Sequence, residues 1–314
     1  MPGPKLKTVT RTQGNNRALK DRTIRPRSFE FDFEEVDPLI AAFRRMVREH
    51  AYDICEMAIT TYICARAHGK PMIAVPVFLV RAFHHGAILV NNRAGIAAPQ
   101  DLEGRKVGVN RGYTVTTGVW ARGVLQDEHG VELDKITWVL SGDEHVAEYR
   151  PPANVVPIEP GKNMADMLAT GELAAAIGVE ASSPDVKPLI PNALDAGLFS
   201  LRRRGHYPIN HLVVIKDELV ARHPDLAAEV FELFAEAKRL YVDRLKAGEI
   251  DSPTEVDKVH RRVMEIAGEP LPYGIEPNRK VLEELIGHAL TQGIVDKPMS
   301  VDSLFAPATR GLVG

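Results

Sequence analysis

Cysteine is scarce in this chain: Cys55 and Cys64 are the only two among 314 residues. They share one apolar segment and lack CxxC or Cys/His ligand spacing. Two reduced core thiols are therefore expected, and with them a cytoplasmic location. No stretch approaches the ~18 continuous apolar residues of a membrane span, so no membrane partner is expected. The first sixteen residues, MPGPKLKTVTRTQGNN, carry a few positive charges but no apolar core and no small-residue cleavage site. No secretory signal is expected from them. An excess of one charge sign is also missing: 39 basic residues face 42 acidic ones, a net of −3. That balance excludes a general nucleic-acid binder, while leaving room for a local cationic pocket. The dinucleotide fingerprint, the phosphate loop ending in GK[ST], the HExxH helix and an ordered Ser/His/Asp set are all absent. Neither an organic cofactor nor a metal is expected. No repeat of solenoid length appears.

What is present is ample material for a buried core, with 45% hydrophobic and 26% charged residues and a length that suits two domains. Residues 5–12 and the alternating Phe29, Phe31 and Phe33 read as strands. Asp37-Pro38 reads as a helix cap followed by proline in the first turn, ahead of a stripe of Leu39, Phe43, Met46 and Val47. Strands follow near 52–57, 72–77, 87–91, 106–110, 137–140, 174–179 and 211–216. Helices are expected at 60–68, 114–128, 164–170, 225–247, 254–267 and 276–292, with a helical turn at 99–102. This alternation predicts an α/β fold with largely parallel sheets. Two such runs followed by a helical tail predict two lobes, 1–90 plus 210–314 and 91–209, with crossings near 89–92 and 207–212.

Ligands of open α/β sheets bind beyond the carboxyl ends of strands, where helix N-termini offer free N–H groups. Four stretches fit. In 55–62, CEMAITTY, a strand stops and a helix begins; Thr60 and Thr61 either cap it or donate to a ligand, and Glu56 is a carboxylate facing the cleft or a hinge ion pair. In 110–118, NRGYTVTTG, Arg111, Tyr113, Thr114 and Thr116 form an anion cradle before a helix, or a structural turn. In 76–86, PVFLVRAFHHG, Arg81 stands beside adjacent histidines, of which one of His84 and His85 faces the cleft. In 206–211, HYPINH, Asn210 and His211 lead into a strand, with His206 just before them. The polar loop Asp143-Glu144-His145 reaches the cleft rim in this reading.

Across these stretches the sequence resembles the 4,5-dihydroxyphthalate decarboxylase family. The resemblance is carried by EMAITTY (56–62), PVFLVRAFHHGAI (76–88), DLEGRKVGV (101–109), TTGVWARGVL (116–125), YPINHLVVI (207–215) and PYGIEPNR (272–279). It implies the two-lobed clamshell of type II periplasmic binding proteins with a helical C-terminal part, a cytoplasmic enzyme and an aromatic acid substrate. The loop holding Asn15, Asn16 and Arg17 departs from the family pattern, as does NRGYTVTT, and both would line the pocket.

The expected reaction is decarboxylation of a hydroxylated aromatic carboxylate such as 4,5-dihydroxyphthalate, giving 3,4-dihydroxybenzoate and CO2. Direct loss of CO2 would leave an aryl carbanion, so the ring carbon must be protonated first. Arg81 and Arg111 would clamp the carboxylates. His85 or His211 would be the acid, and Glu56 or the other histidine would receive the hydroxyl proton. The alternatives are a non-catalytic binding protein of ABC-importer type and a different lyase on the same fold. The expected partner is the small substrate alone, in a homo-oligomer.

Overall fold

A computed structural model describes residues 3–205 and 207–314, so His206 lies outside the described residues. In chain order the elements begin β1 (Lys5–Val9), α1 (Arg17–Lys20), β2 (Glu30–Phe33), α2 (Ile40–Glu49), β3 (Ile54–Ala58), α3 (Ile59–Ala67), β4 (Met72–Arg81) and β5 (Ile88–Asn91). They continue β6 (Lys106–Val109), α4 (Thr116–His129), β7 (Thr137–Leu140), β8 (Val155–Pro157), α5 (Met164–Thr170), β9 (Ala175–Ile177), β10 (Val186–Pro188) and α6 (Ala193–Arg204). The last are β11 (Ile209–Lys216), α7 (Asp217–Arg222), α8 (Leu226–Ala247), α9 (Glu255–Ala267) and α10 (Arg279–Thr291). None of the described helices is long and apolar enough to cross a membrane.

The chain divides into two compact units. Unit 1 comprises Met1–Ala82, Arg204–Glu284 and Met299–Gly314; unit 2 comprises Phe83–Arg203 and Leu285–Pro298. The divisions fall before β5 and before β11, not within 89–92 and 207–212, and part of the C-terminal helical region belongs to unit 2.

Unit 1 holds a five-stranded sheet in the order β2-β1-β3-β11-β4. β1 runs parallel to β2 and β3, whereas β11 is antiparallel to both β3 and β4. All five residues of β3 are buried, which explains its near-continuous apolar sequence and makes Glu56 the exception. β4 is longer than its pattern suggests because Pro76 sits where the register with β11 slips between His211 and Val213. A residue without an N–H is tolerated at such an irregularity. α2 begins at Ile40 with Leu39 in the cap position, so Asp37 and Pro38 precede the helix instead of opening it. Its Phe43, Met46 and Val47 are buried, as the stripe predicts.

Unit 2 holds a six-stranded sheet in the order β10-β5-β9-β6-β7-β8. β9, β6, β7 and β8 are mutually parallel, while β5 is antiparallel to β9 and β10. Each sheet thus carries antiparallel members, so the fold is α/β with mixed sheets. β8 and β10 carry no pattern that the sequence reading detects.

A buried network joins α8 to α9. The Tyr241 hydroxyl donates to Asp257 Oδ1 and lies 2.9 Å from His260 Nδ1. Asp257 also accepts from the Thr254 N–H and hydroxyl at the start of α9, both at 2.8 Å. Burial pushes the imidazole of His260 down to about 4 from its ordinary 6.5. The folded state therefore keeps His260 neutral while the unfolded chain protonates it below pH 6.5. This contribution to stability is present above that pH and is lost as the pH falls towards 4, by up to about 3 kcal/mol. Urea unfolding at a series of pH values should show His260→Gln losing less stability than wild type between pH 6.5 and 4.

Candidate active site

Unit 1 brings Glu56 and His211 together. They come from adjacent antiparallel strands, with Glu56 opposite Val213 and His211 opposite Ala58. Their side chains are diagonal neighbours on one face of the sheet. Glu56 has no exposed surface, and its Oε1 lies 2.7 Å from His211 Nδ1. Its Oε2 accepts the backbone N–H of Arg11 at 2.9 Å, just beyond the end of β1. A carboxylate at Nδ1 selects the tautomer that carries its proton there. His211 stands edge-on to Phe43, with ring centroids 5.1 Å apart, and its side chain keeps 19% of its surface exposed. Nε2 makes no hydrogen bond to any described residue, so it is the open nitrogen of the ring.

The carboxyl end of β3 passes directly into α3, whose cap position is Ala58 with no side-chain cap. Thr60 and Thr61 are therefore helical residues, not caps. Both are buried, and the Thr61 hydroxyl has no partner among the described residues. Asn15 and Asn16 lie in a 3₁₀ turn, Gly14–Asn16, after β1. Asn15 Nδ2 donates to the Leu79 carbonyl at 3.0 Å and to the Tyr273 hydroxyl at 3.4 Å, leaving Oδ1 unpartnered. Asn16 serves the turn itself, accepting from Gln13 N–H and donating to the Arg11 carbonyl, both at 2.8 Å. Arg17 is exposed at the start of α1, and Asn210 is buried in β11.

Arg81 does not have the free guanidinium that a carboxylate clamp requires. It is buried at the end of β4 and donates to the carbonyls of Tyr207 (2.7 Å) and Pro272 (3.0 Å) and to Asn278 Oδ1. Its Nε has no partner and no carboxylate pairs with it among the described residues, and burial holds it down at about 10. Its role in unit 1 is to tie β4 to the segments before β11 and before α10.

Unit 2 places the other predicted residues. His85 is buried in a 3₁₀ turn, with Nε2 3.0 Å from Glu128 Oε2 and Nδ1 unpartnered. Glu128 Oε1 accepts the Ser200 hydroxyl at 2.8 Å. Glu128 lies near the end of α4, about 18 Å along the helix from Thr116. His85 is thereby separated from Thr114 and Thr116, and its open nitrogen faces no solvent, which corrects the expectation that it is the acid. His84 is buried beside it.

The donors of the expected anion cradle are taken by a carboxylate of the chain itself. Glu144 accepts the N–H of Tyr113, and its Oε2 accepts the N–H (3.2 Å) and hydroxyl (2.7 Å) of Thr114. A Cβ at Gly112 would lie 2.6 Å from that same oxygen, so a side chain there would push the carboxylate aside. Arg111 sits at φ 72, a strained position for a residue with a side chain. Its N–H donates to Ser141 Oγ at 2.7 Å and its side chain is exposed. Thr116 is the buried first residue of α4.

One residue escapes the sequence reading altogether. Arg122 is fully buried in α4, with Nε donating to Gln292 Oε1 (2.8 Å) and Nη2 to the Tyr113 carbonyl (2.7 Å). A charged residue inside the run VWARGVL was the available signal. Replacing Glu144 with glutamine turns one acceptor into a donor facing the Tyr113 and Thr114 donors. Glu144→Gln should lower stability by about 1–3 kcal/mol and speed amide exchange at 112–116. Thermal melts and hydrogen-exchange mass spectrometry check both.

No family model matches the chain. The solved structures it resembles include the aliphatic sulphonate binding protein SsuA of Escherichia coli, at 12% identity and TM-score 0.53, covering 99% of this chain and all of that one. They also include the desulfurization enzyme DSZB, at 15% identity and TM-score 0.50, covering 97% of this chain and 96% of that one. These likenesses show the periplasmic-binding-protein fold and nothing of the activity. Sequence relatives decide more. A 4,5-dihydroxyphthalate decarboxylase of Pseudomonas putida is 37% identical over 169 residues, 49% of this chain and 65% of that one. Another of that name, from Comamonas testosteroni, is 30% identical over 285 residues, 85% of this chain and 86% of that one. On that relationship the chain belongs to the 4,5-dihydroxyphthalate decarboxylase family and is a carbon–carbon lyase.

Proposed function

We propose that this protein removes one carboxylate from a dihydroxylated aromatic acid of the 4,5-dihydroxyphthalate type, giving 3,4-dihydroxybenzoate and CO2. The observation that carries this reading is the His211–Glu56 pair: an imidazole with one open nitrogen, held by a carboxylate that water does not reach. The relatives' names supply the substrate class.

His211, protonated, gives its Nε2 proton to the ring carbon that bears the leaving carboxylate. As that C–H bond forms, the hydroxyl para to it releases its proton to solvent and becomes a ring carbonyl. The C–C bond then breaks, its electron pair restores the aromatic ring, CO2 departs and the oxygen regains a proton. Each turnover carries one proton from solvent through His211 to the ring. Glu56 stabilises the imidazolium and fixes the ring plane without touching the substrate. Cys55 and Cys64, both buried and neither in a disulfide, support a reducing, cytoplasmic setting.

Purified protein incubated with 4,5-dihydroxyphthalate should release CO2 and 3,4-dihydroxybenzoate, followed by chromatography. His211→Gln should lower kcat about 10²–10⁴-fold while still binding substrate, since a positioned acid supplies an effect of that size. Glu56→Gln should lower kcat less. Wild-type turnover by His211→Gln would remove that residue from the acid role. Substrate bound but not converted by wild type would place the chain functionally with the binding proteins.

A further inference from the structure

Arg122 is an anomaly in unit 2. Its guanidinium has no exposed surface, and Nη1 has no hydrogen-bond partner. None of the described carboxylates forms an ion pair with it; its bonded partners are the Gln292 side chain and the Tyr113 carbonyl. The Tyr113 ring covers it at 3.7 Å from the centroid. The charge of Glu144 acts on it from the Tyr113–Thr114 turn without contact, and a buried guanidinium without a bonded carboxylate is unfavourable.

The geometry shows where the charge is delivered. Side chains on a helix lean towards its N-terminus and lie over the residue four positions back. For Arg122 that residue is Gly118, and a Cβ there would stand 3.1 Å from Nη1. The unpartnered nitrogen is thus held against the first turn of α4. Val115, at the cap position, supplies no side-chain cap to that turn. The positive end of a 14-residue helix and a buried guanidinium therefore add at one place. Gly178, at φ +72, faces this turn from the end of β9, 3.6 Å from Thr117 at the position a Cβ would take. Glu144 occupies the donors of Tyr113 and Thr114 but not this turn.

We propose that the first turn of α4, backed by Arg122, is a subsite for a carboxylate of an aromatic acid, with Arg122 as its positioning residue. The inference takes its aromatic acid from the decarboxylase reading, but it is tested by binding and not by turnover. Arg122 holds the Tyr113 carbonyl and ring, which line the approach, and sets a fixed positive potential where the carboxylate arrives.

The test is calorimetric titration of the full-length protein with phthalate, which has the carboxylates without the hydroxyls, and with catechol, which has the hydroxyls without the carboxylates. Arg122→Met should weaken phthalate about tenfold or more, and Arg122→Lys, which keeps the charge, should lose less. Gly118→Ala, whose Cβ would stand 3.1 Å from both Nη1 and Val109 Cγ1, should weaken phthalate. Catechol affinity should be the same in all four proteins. Phthalate binding unchanged in Arg122→Met and Gly118→Ala would overturn the proposal. So would equal losses for Lys and Met at position 122, or a wild type that does not bind phthalate. A wild type that binds phthalate but does not convert 4,5-dihydroxyphthalate would refute the decarboxylase reading and leave the subsite standing.

Discussion

Glu56 is a carboxylate without exposed surface in the middle of a fully buried strand, and much of unit 1 follows from the need to answer it. A buried charge is tolerated only when donors are fixed around it. One donor is the backbone N–H of Arg11, which sets the path of the chain as it leaves β1. The other is His211, which requires β11 to lie antiparallel beside β3 in one register. On its other side β11 meets β4 with register shifts to either side of His211. Irregularities of this kind re-aim side chains near functional sites. The strand order, the loop after β1 and the orientation of the imidazole are one solution to one electrostatic problem.

The arginines show how a cation is kept inside this protein. Arg81 and Arg122 are both buried without ion pairs among the described residues, and both are lowered from the ordinary arginine value by burial. Arg81 is answered by two carbonyls and an amide oxygen, a neutral set that fixes three segments of unit 1. Arg122 has fewer partners and an aromatic face, which leaves its field available at the start of α4. Glu144 performs the converse task, placing a carboxylate on backbone donors that a ligand would otherwise find free.

The local junctions were legible. The step from apolar strand to hydroxyl-bearing helix at residues 55–62 announced β3 and α3, and the motif segments identified the family before any coordinates. What was not legible depends on contacts distant in sequence. Nothing near His85 says that Glu128, 43 residues on, closes its Nε2. Nothing in NRGYTVTT says that Glu144, some 30 residues later, fills the cradle. Pro76 hid the second half of β4, because its acceptability depends on where β11 slips. The antiparallel members of both sheets were missed because strand–helix alternation gives sequence order and not neighbour order. Arg122 was visible as a charge in an apolar helix, yet only its lack of a carboxylate makes it notable. The fold could not decide the function, since sulphonate-binding proteins and an enzyme share it.

The central claim is that His211, oriented by Glu56, delivers a solvent-derived proton to the ring carbon that loses its carboxylate. The most direct measurement is proton NMR of the product formed from 4,5-dihydroxyphthalate in D2O by wild type and by His211→Gln. The account predicts 3,4-dihydroxybenzoate from wild type with deuterium on the ring carbon beside the remaining carboxylate, and almost no product from the variant. Unlabelled product from wild type, or labelled product formed as fast by His211→Gln, would contradict it.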